Sequence, residues 1–194
     1  MTVLKIYIDF KSPESYLAFH QTVTFEKEHN LDISWKPFLT KSRTTPLPKK
    51  NETKGETHLR IREEHKKSLN LKYAKILNLP MKYPRDENQS DLALSLLPTL
   101  SGETKDYITL AFHYFWQQNF DLNNRDTVIE LLKASKKETT VLDVEEDLIQ
   151  TLIHDTELAK QSGVIATPTY ELEGDLFLGR EHLPWIKKHL TNNR

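Results

Sequence analysis

The 194-residue sequence contains no cysteine and only five glycines. Without a thiol, the chain forms no disulfide, binds no metal through a thiolate and cannot carry out thiol-disulfide exchange by itself. No apolar run approaches the roughly 18 residues that a membrane-spanning helix requires. We therefore expect a protein that does not span a membrane, and one in which any sulfur chemistry uses the sulfur of a bound molecule.

The first residues are typical of a buried parallel strand. Val3 to Phe10 is an almost continuous apolar run, rich in β-branched and aromatic side chains. This start has neither the length nor the small-residue cleavage site of a secretory signal, which predicts a cytoplasmic location. Charged residues make up 28% of the chain and hydrophobic residues 37%, as in an ordinary globular protein.

The strand runs directly into a predicted helix. Ser12 suits the N-cap, and Pro13 suits the first helical position, where the missing N–H is harmless. The helix is expected to continue to about residue 29 or 30, and Asp32 to Trp35 reads as a second strand closed off by Pro37. Together these elements form a β-α-β unit, which predicts two parallel strands with a right-handed crossover.

A long helical block follows, and then a second group of strands. The loop over 40–53 precedes helices predicted at Glu56–Leu79, Asp91–Leu97, Lys105–Gln118, Asp126–Ala134 and Val144–Gln161. A hairpin is predicted from Thr169–Glu173 and Leu176–Leu178, with a last helix over Glu181–Leu190. This order predicts an α/β protein: a thioredoxin-like domain at 1–54 and 163–194, interrupted by an all-helical insertion at 55–162.

Charge is unevenly distributed along the chain. The segment 36–85 is rich in Lys and Arg, whereas 141–181 is mainly acidic. A basic segment can attract anionic small molecules or nucleic acid, but it is also what a solvated helical face with i,i+4 pairs looks like. No aromatic residues are interleaved with the charges as in a base-stacking surface, so we predict no nucleic-acid partner.

Several segments resemble a known family. They are I-D-F-K-S-P-E-S-Y-L-A (Ile8–Ala18), W-K-P-F-L (Trp35–Leu39), K-Y-A-K-I-L-N-L-P (Lys72–Pro80) and G-V-I-A-T-P-T-Y-E-L-E-G-D-L-F-L-G-R-E-H-L (Gly163–Leu183). In this order they resemble 2-hydroxychromene-2-carboxylate isomerases, which are grouped with kappa-class glutathione transferases and the wider DsbA-like family. The resemblance covers nearly the whole chain and implies the same split architecture. It also implies glutathione as cofactor, a small unsaturated or aromatic substrate and a possible homodimer.

The resemblance also implies roles for individual residues. Ser12 would meet the sulfur of glutathione, and Thr167-Pro168 would be a cis bond whose backbone pairs with the tripeptide. The family's G-x-D-R-L segment, which holds the γ-glutamyl end, is Gly179-Arg180-Glu181-His182-Leu183 here. Glu181 keeps a carboxylate on a longer arm, and His182 replaces the arginine. Asn51 is the candidate for a glutathione-contacting asparagine after the second strand.

The chemistry at Ser12 can be argued from magnitudes. A glutathione thiol with the pKa of free cysteine, about 8.5, is a few per cent thiolate at neutral pH. Lowering that pKa by two units requires about 2.7 kcal/mol in favour of the anion. A hydrogen bond from Ser12 to a charged acceptor supplies roughly 1.5–3 kcal/mol. The helix N-terminus adds about 0.3–1 kcal/mol. Ser12 is therefore predicted to be a hydrogen-bond donor to a thiolate and not a nucleophile.

Simpler interpretations remain open for each residue. Ser12 can be an N-cap only, Pro168 a structural residue of the scaffold, and His182 a surface residue. Tyr16 either faces a substrate or packs in the core. The sequence shows no metalloenzyme His-carboxylate spacing, so no metal is assigned.

Two functions remain open as well. The first is a glutathione-dependent isomerase or transferase. The alternative is a non-redox DsbA-like protein that binds a peptide or small molecule without glutathione chemistry.

Overall fold

A computed structural model describes residues 3–41, 51–100 and 104–192. Its sheet consists of β1 (Val3–Ile8), β2 (Asp32–Pro37), β3 (Thr169–Leu172) and β4 (Asp175–Leu178). The order across the sheet is β2-β1-β3-β4. β1 and β2 are parallel, whereas β3 pairs antiparallel with both β1 and β4. The sheet thus joins the predicted β-α-β unit to the predicted hairpin.

The helices follow the predicted order with small shifts at their ends. They are α1 (Pro13–His29), α2 (Lys54–Ile76), α3 (Asp91–Ser95), α4 (Lys105–Trp116), α5 (Arg125–Ala134), α6 (Glu145–Gln161) and α7 (Leu183–Asn192). Three short 3₁₀ turns lie at Leu97–Thr99, Thr140–Val144 and Arg180–His182. The predicted start of the last helix is the 3₁₀ turn at 180–182, so the α-helix proper begins only at Leu183. The thioredoxin-like fold with a helical insertion is therefore confirmed.

The second helix begins two residues before its predicted start because of its cap. Thr53 accepts a hydrogen bond from Glu56 N, and the Glu56 carboxylate accepts one from Thr53 N, which is a capping box. The helix ends at Ile76, three residues before the predicted end at Leu79. Most of the loop predicted over 40–53 lies outside the described residues.

The helical insertion packs directly on the turn that leads from β1 to α1. Phe10 is fully buried, and its ring lies 5.4 Å from the ring of Phe112 on α4. Trp116 Nε1 donates a hydrogen bond of 2.8 Å to the Phe10 carbonyl. The turn is held by both parts of the chain, so the start of α1 lies where the thioredoxin-like part meets the insertion.

The structure bears on two further expectations. Within the described ranges, no helix is long and apolar enough to cross a membrane. The basic segment does form a largely exposed helix, α2, which buries only Asn70 and Ala74 and contains the i,i+4 ion pair Arg60–Glu64.

Candidate active site at the start of the first helix

Ser12 is the N-cap of α1. Its backbone is extended, and its Oγ accepts a hydrogen bond of 3.2 Å from Ser15 N. Pro13 occupies the first turn, as the sequence predicts. Ser12 is only 5% exposed and therefore lies in the interior, beneath other side chains.

The Ser12 hydroxyl donates only weak hydrogen bonds. Two acceptors lie at the same distance of 3.4 Å from its Oγ: the Thr167 carbonyl oxygen and Glu14 Oε2. A serine hydroxyl has one proton to donate, and 3.4 Å is long for an O–H donor. A stronger acceptor placed near the hydroxyl would therefore receive its hydrogen bond without displacing a strong one.

The Thr167-Pro168 bond is cis, as the resemblance implies. It lies directly before β3, whose first residue Thr169 pairs with Tyr7 of β1. The Thr167 carbonyl thus faces the Ser12 hydroxyl although 155 residues separate them. Thr167 Oγ1 is buried and has no hydrogen-bond partner in the described part of the chain. The Thr167 N–H likewise donates no backbone hydrogen bond there.

The tail segment is attached to this cis-proline loop. Gly179 N donates a hydrogen bond of 2.9 Å to the Pro168 carbonyl. Gly179 has φ +88°, and a Cβ placed there would lie 2.5 Å from both carboxylate oxygens of Glu181. Only glycine therefore lets the Glu181 carboxylate fold back over the backbone at this point.

His182 lies beside the same segment. Its ring centroid is 6.5 Å from that of Phe177, and its Nδ1 is buried without a partner among the residues described. The structure thus brings Ser12, Thr167, Pro168, Gly179 and Glu181 into one continuous chain of contacts.

Two predicted site residues lie apart from this chain. Tyr16 is 2% exposed, and its OH donates a hydrogen bond of 2.5 Å to the Pro80 carbonyl. Its ring stacks on Trp116 at 5.8 Å, which favours the core interpretation. Asn51 is exposed in the turn before α2, and the described structure records no contact between Asn51 and Ser12. Its role in binding glutathione stays a prediction.

Asp9 is a buried carboxylate that the sequence interpretation did not single out. It is fully buried at the end of β1. Oδ1 accepts hydrogen bonds from Lys11 N at 3.1 Å and Ser90 Oγ at 2.8 Å. Oδ2 accepts two from Thr40, from N at 2.8 Å and from Oγ1 at 2.6 Å. Burial raises the pKa of Asp9, and the Lys11 charge and the hydrogen bonds from Thr40 and Lys11 N oppose that rise. An acidic residue closing an apolar strand was the one available sequence signal.

Lys11 lies on the other side of the same turn. Its Nζ forms an ion pair of 2.9 Å with Asp91 at the start of α3. A pocket of about 280 Å³ opens beside this pair and is also lined by Thr40, Lys41 and Lys160. A larger pocket of about 430 Å³ lies elsewhere, between α1 and the start of α7. Ser12 lines neither pocket.

A comparison with known protein families identifies the fold. The profile of the DSBA-like thioredoxin domain matches residues 3–191. The chain belongs to this family. No curated protein matches the sequence.

Solved structures share the DSBA-like fold at low sequence identity. A 2-hydroxychromene-2-carboxylate isomerase superposes with a TM-score of 0.75 at 14% identity, covering 98% of this chain and 95% of that one. The cytosolic disulfide reductase DsbM from Pseudomonas aeruginosa, solved with GSH, has a TM-score of 0.62 at 12% identity, with 97% and 99% covered. DsbA from Pseudomonas aeruginosa has a TM-score of 0.54 at 12% identity, with 100% and 84% covered. At such identities these likenesses show the fold alone.

Proposed function

We propose that this protein is a glutathione-dependent isomerase or transferase in which Ser12 donates a hydrogen bond to the glutathione sulfur. The observation that supports this most is the Ser12 hydroxyl, which faces the Thr167 carbonyl at 3.4 Å across the cis-proline loop. The chain has no cysteine, so a thiol beside this hydroxyl would have to come from a bound molecule.

The residues present fit a bound tripeptide. Thr167 has a backbone N–H without a backbone partner in the described structure, and such a group can pair with an extended peptide. Glu181 presents its carboxylate beside Gly179, where the γ-glutamyl end with its ammonium group would lie. A contact between Asn51 and glutathione is the third interaction in the proposal.

The chain's own contribution is to orient and stabilise the sulfur. Glutathione would supply the nucleophilic sulfur for an unsaturated carbonyl compound. Ser12 would give up its two long contacts for one charge-assisted hydrogen bond, which is stronger than a neutral one. The positive end of the helix dipole, at the N-terminus of α1, would also favour a negatively charged sulfur at this position. Burial strengthens both effects because the local dielectric is low.

Glutathione binding tests the proposal directly. The melting temperature of the protein would be followed while glutathione is added up to millimolar concentrations. A ligand at a hundred times its Kd stabilises by about 2.7 kcal/mol, which gives a clear rise in melting temperature. Absence of any rise would contradict the proposal.

A count of free thiols separates the two reactions. The site residues are the same for an isomerase and a transferase, but only a transferase consumes glutathione. After turnover of an unsaturated carbonyl compound, unchanged free thiol indicates an isomerase and a stoichiometric loss indicates a transferase. Ser12→Ala is expected to reduce turnover far more than glutathione affinity.

The burial of Ser12 favours the second candidate, a DSBA-like protein that binds a peptide or small molecule without glutathione chemistry. At 5% exposure the hydroxyl is covered, and His182 stands where the family has an arginine. This candidate predicts no glutathione binding in the titration above.

The remaining parts of the proposal are a cytoplasmic location and a homodimer. A reducing compartment keeps glutathione in its thiol form. The mass of the protein in solution, measured by light scattering, tests the dimer.

A further inference from the structure

The outer edge of β4 carries backbone groups that the sheet does not use. β4 is the last strand in the order β2-β1-β3-β4, so its neighbour in the described sheet is β3 alone. The two strands are joined by Glu173 and Gly174, which both have positive φ, as in a two-residue hairpin turn. In such a hairpin, alternate residues of each strand point their N–H and C=O groups at the other strand.

The hydrogen bonds of the hairpin show which residues of β4 face outwards. Asp175 follows the turn directly, and Gly179, four residues later, donates from its N–H to the Pro168 carbonyl at 2.9 Å. The N–H and C=O groups of Leu176 and Leu178, at the alternate positions, therefore point away from β3. Within the described residues, no other part of the chain forms a backbone hydrogen bond with either leucine.

The side chains at this edge are apolar and exposed. Leu176 is 37% exposed and Leu178 is 40% exposed, and the alternation of the strand places both on the same face of the sheet. Edge strands are usually protected by a charged residue, a proline, a bulge or short length. β4 pairs with β3 without a bulge, and both outward positions are leucine, so only its short length limits pairing. An edge of this kind favours a partner strand.

The edge is complementary to a second copy of itself. A two-fold axis at Phe177 places Leu176 opposite the partner's Leu178 and Leu178 opposite the partner's Leu176, in an antiparallel pair. Each leucine pair then exchanges two hydrogen bonds, which uses all the outward N–H and C=O groups of both residues. The leucine side chains of each pair contact each other on one face of the sheet. This is the closed two-fold symmetry that most soluble dimers have.

The charges at the two ends of β4 favour the antiparallel arrangement. Asp175 begins the strand, and Arg180 follows its end. The next residue, Glu181, has its carboxylate folded back over Gly179 of its own chain. An antiparallel partner brings Asp175 near the partner's Arg180, whereas a parallel partner would bring like charges together.

We propose that β4 pairs with β4 of a second copy, so that the two four-stranded sheets form one continuous sheet. The inference supplies the interface of the proposed homodimer and rests on that part of the proposed function. Gly179 directly follows the interface. The partner's Asp175 would therefore lie opposite the segment that is proposed to hold the γ-glutamyl end of glutathione.

A proline at position 176 tests the pairing. Because the Leu176 N–H points outwards, Leu176→Pro removes a donor of the interface and no hydrogen bond to β3. Two-fold symmetry doubles the loss, so we expect the dimer Kd, measured by sedimentation equilibrium, to rise about tenfold to a hundredfold. Leu178→Lys should raise the Kd by a similar factor and provides a second test if the proline variant folds poorly. Leu59→Lys, at a position 50% exposed on α2, is the matched control and should leave the Kd unchanged.

A cysteine at position 178 tests the register. The chain has no other cysteine. In the proposed pair the two copies of this position are offset by two residues along adjacent strands, which places their Cα atoms about 8 Å apart. The short cross-linker bis-maleimidoethane should therefore join two chains of Leu178→Cys at micromolar concentration, and it should not join two chains of Leu59→Cys.

The outcomes separate the interface from the rest of the proposed function. A dimer with the same Kd in Leu176→Pro and Leu178→Lys as in the natural protein would overturn the β4 interface and leave the homodimer standing. A natural protein that stays monomeric up to millimolar concentration would overturn both, even if another extended peptide paired with this edge. Neither result depends on glutathione, whose binding is tested by the titration above.

Discussion

The caps of α1 and α2 use the same local chemistry in two different settings. Ser12 Oγ accepts from Ser15 N at 3.2 Å, and Thr53 Oγ1 accepts from Glu56 N at 3.2 Å. At α2 the hydroxyl also donates its one proton to Glu56 Oε2 at 2.9 Å, so that proton is used within the cap. At α1 the hydroxyl has only long contacts for its proton, to Glu14 and to the distant Thr167.

Their surroundings explain the difference. Thr53 is exposed and its cap is complete within four residues. Ser12 is buried between the cis-proline loop and the helical insertion, on a turn fixed by the hydrogen bonds of Asp9. A helix cap formed by neighbouring residues becomes a candidate active site only when the surrounding structure leaves the proton of its hydroxyl without a strong acceptor.

Removal of the Asp9 carboxylate should have the largest effect. Asp9→Ala would leave four hydrogen-bond donors on Lys11, Thr40 and Ser90 without their acceptor, and we expect it to destabilise the fold by about 3–5 kcal/mol. Urea unfolding monitored by circular dichroism measures this loss. Asp32→Ala, at an exposed position at the start of β2, is the control and should change stability by less than about 0.5 kcal/mol. Equal effects would show that the turn does not depend on Asp9.

The two caps should differ in their contribution to stability. Ser12→Ala leaves Ser15 N without its acceptor in a buried setting, so we expect a loss of about 2 kcal/mol, the upper end for an N-cap. Thr53→Ala exposes the equivalent N–H to water, and we expect a loss of about 0.5 kcal/mol. The same unfolding measurement tests both. A larger loss for Thr53→Ala would contradict the contrast between a buried and an exposed cap.

The raised pKa of Asp9 predicts a pH dependence of stability. A carboxyl whose folded pKa lies above its unfolded value binds its proton more tightly when folded. The free energy of unfolding therefore falls as pH rises from the ordinary value of 3.8 through the folded pKa. Asp9→Asn should remove this fall, which amounts to about 1.4 kcal/mol for each unit of pKa shift. Unfolding curves across this pH range would contradict the prediction if parent and variant had the same slope.

The glutamates of the two caps should have the smallest effects on stability. Glu14→Gln removes a negative charge that interacts favourably with the positive end of the α1 dipole. We expect the free energy of unfolding to fall by about 0.3–1 kcal/mol. Glu56→Gln keeps an oxygen acceptor for Thr53 N and should cost a similar amount or less. Thermal unfolding of both variants measures these losses. A loss above that range at Glu14 would mean that the carboxylate has a structural role as well.

Local signals predicted the elements of the fold better than the contacts of the site. Ser12 and Pro13 mark the start of α1 within the sequence itself, and the order of elements identifies the split thioredoxin-like architecture. Two of the three partners of Asp9, Thr40 and Ser90, lie 31 and 81 residues away along the chain, so no local pattern reveals them. The position of Glu14 in the first turn predicts only an effect on the helix dipole. Its contact with Ser12 Oγ depends on the side-chain conformation that the surrounding structure permits.

The thiol pKa of bound glutathione tests the central claim most directly. It would be measured from thiolate absorbance in the natural protein, in Ser12→Ala and in Thr53→Ala as the matched cap control. A charge-assisted hydrogen bond of roughly 1.5–3 kcal/mol corresponds to a pKa about 1–2 units higher in Ser12→Ala. Thr53→Ala should leave the value unchanged. If bound glutathione had the same thiol pKa with and without the Ser12 hydroxyl, Ser12 would be a helix cap and nothing more.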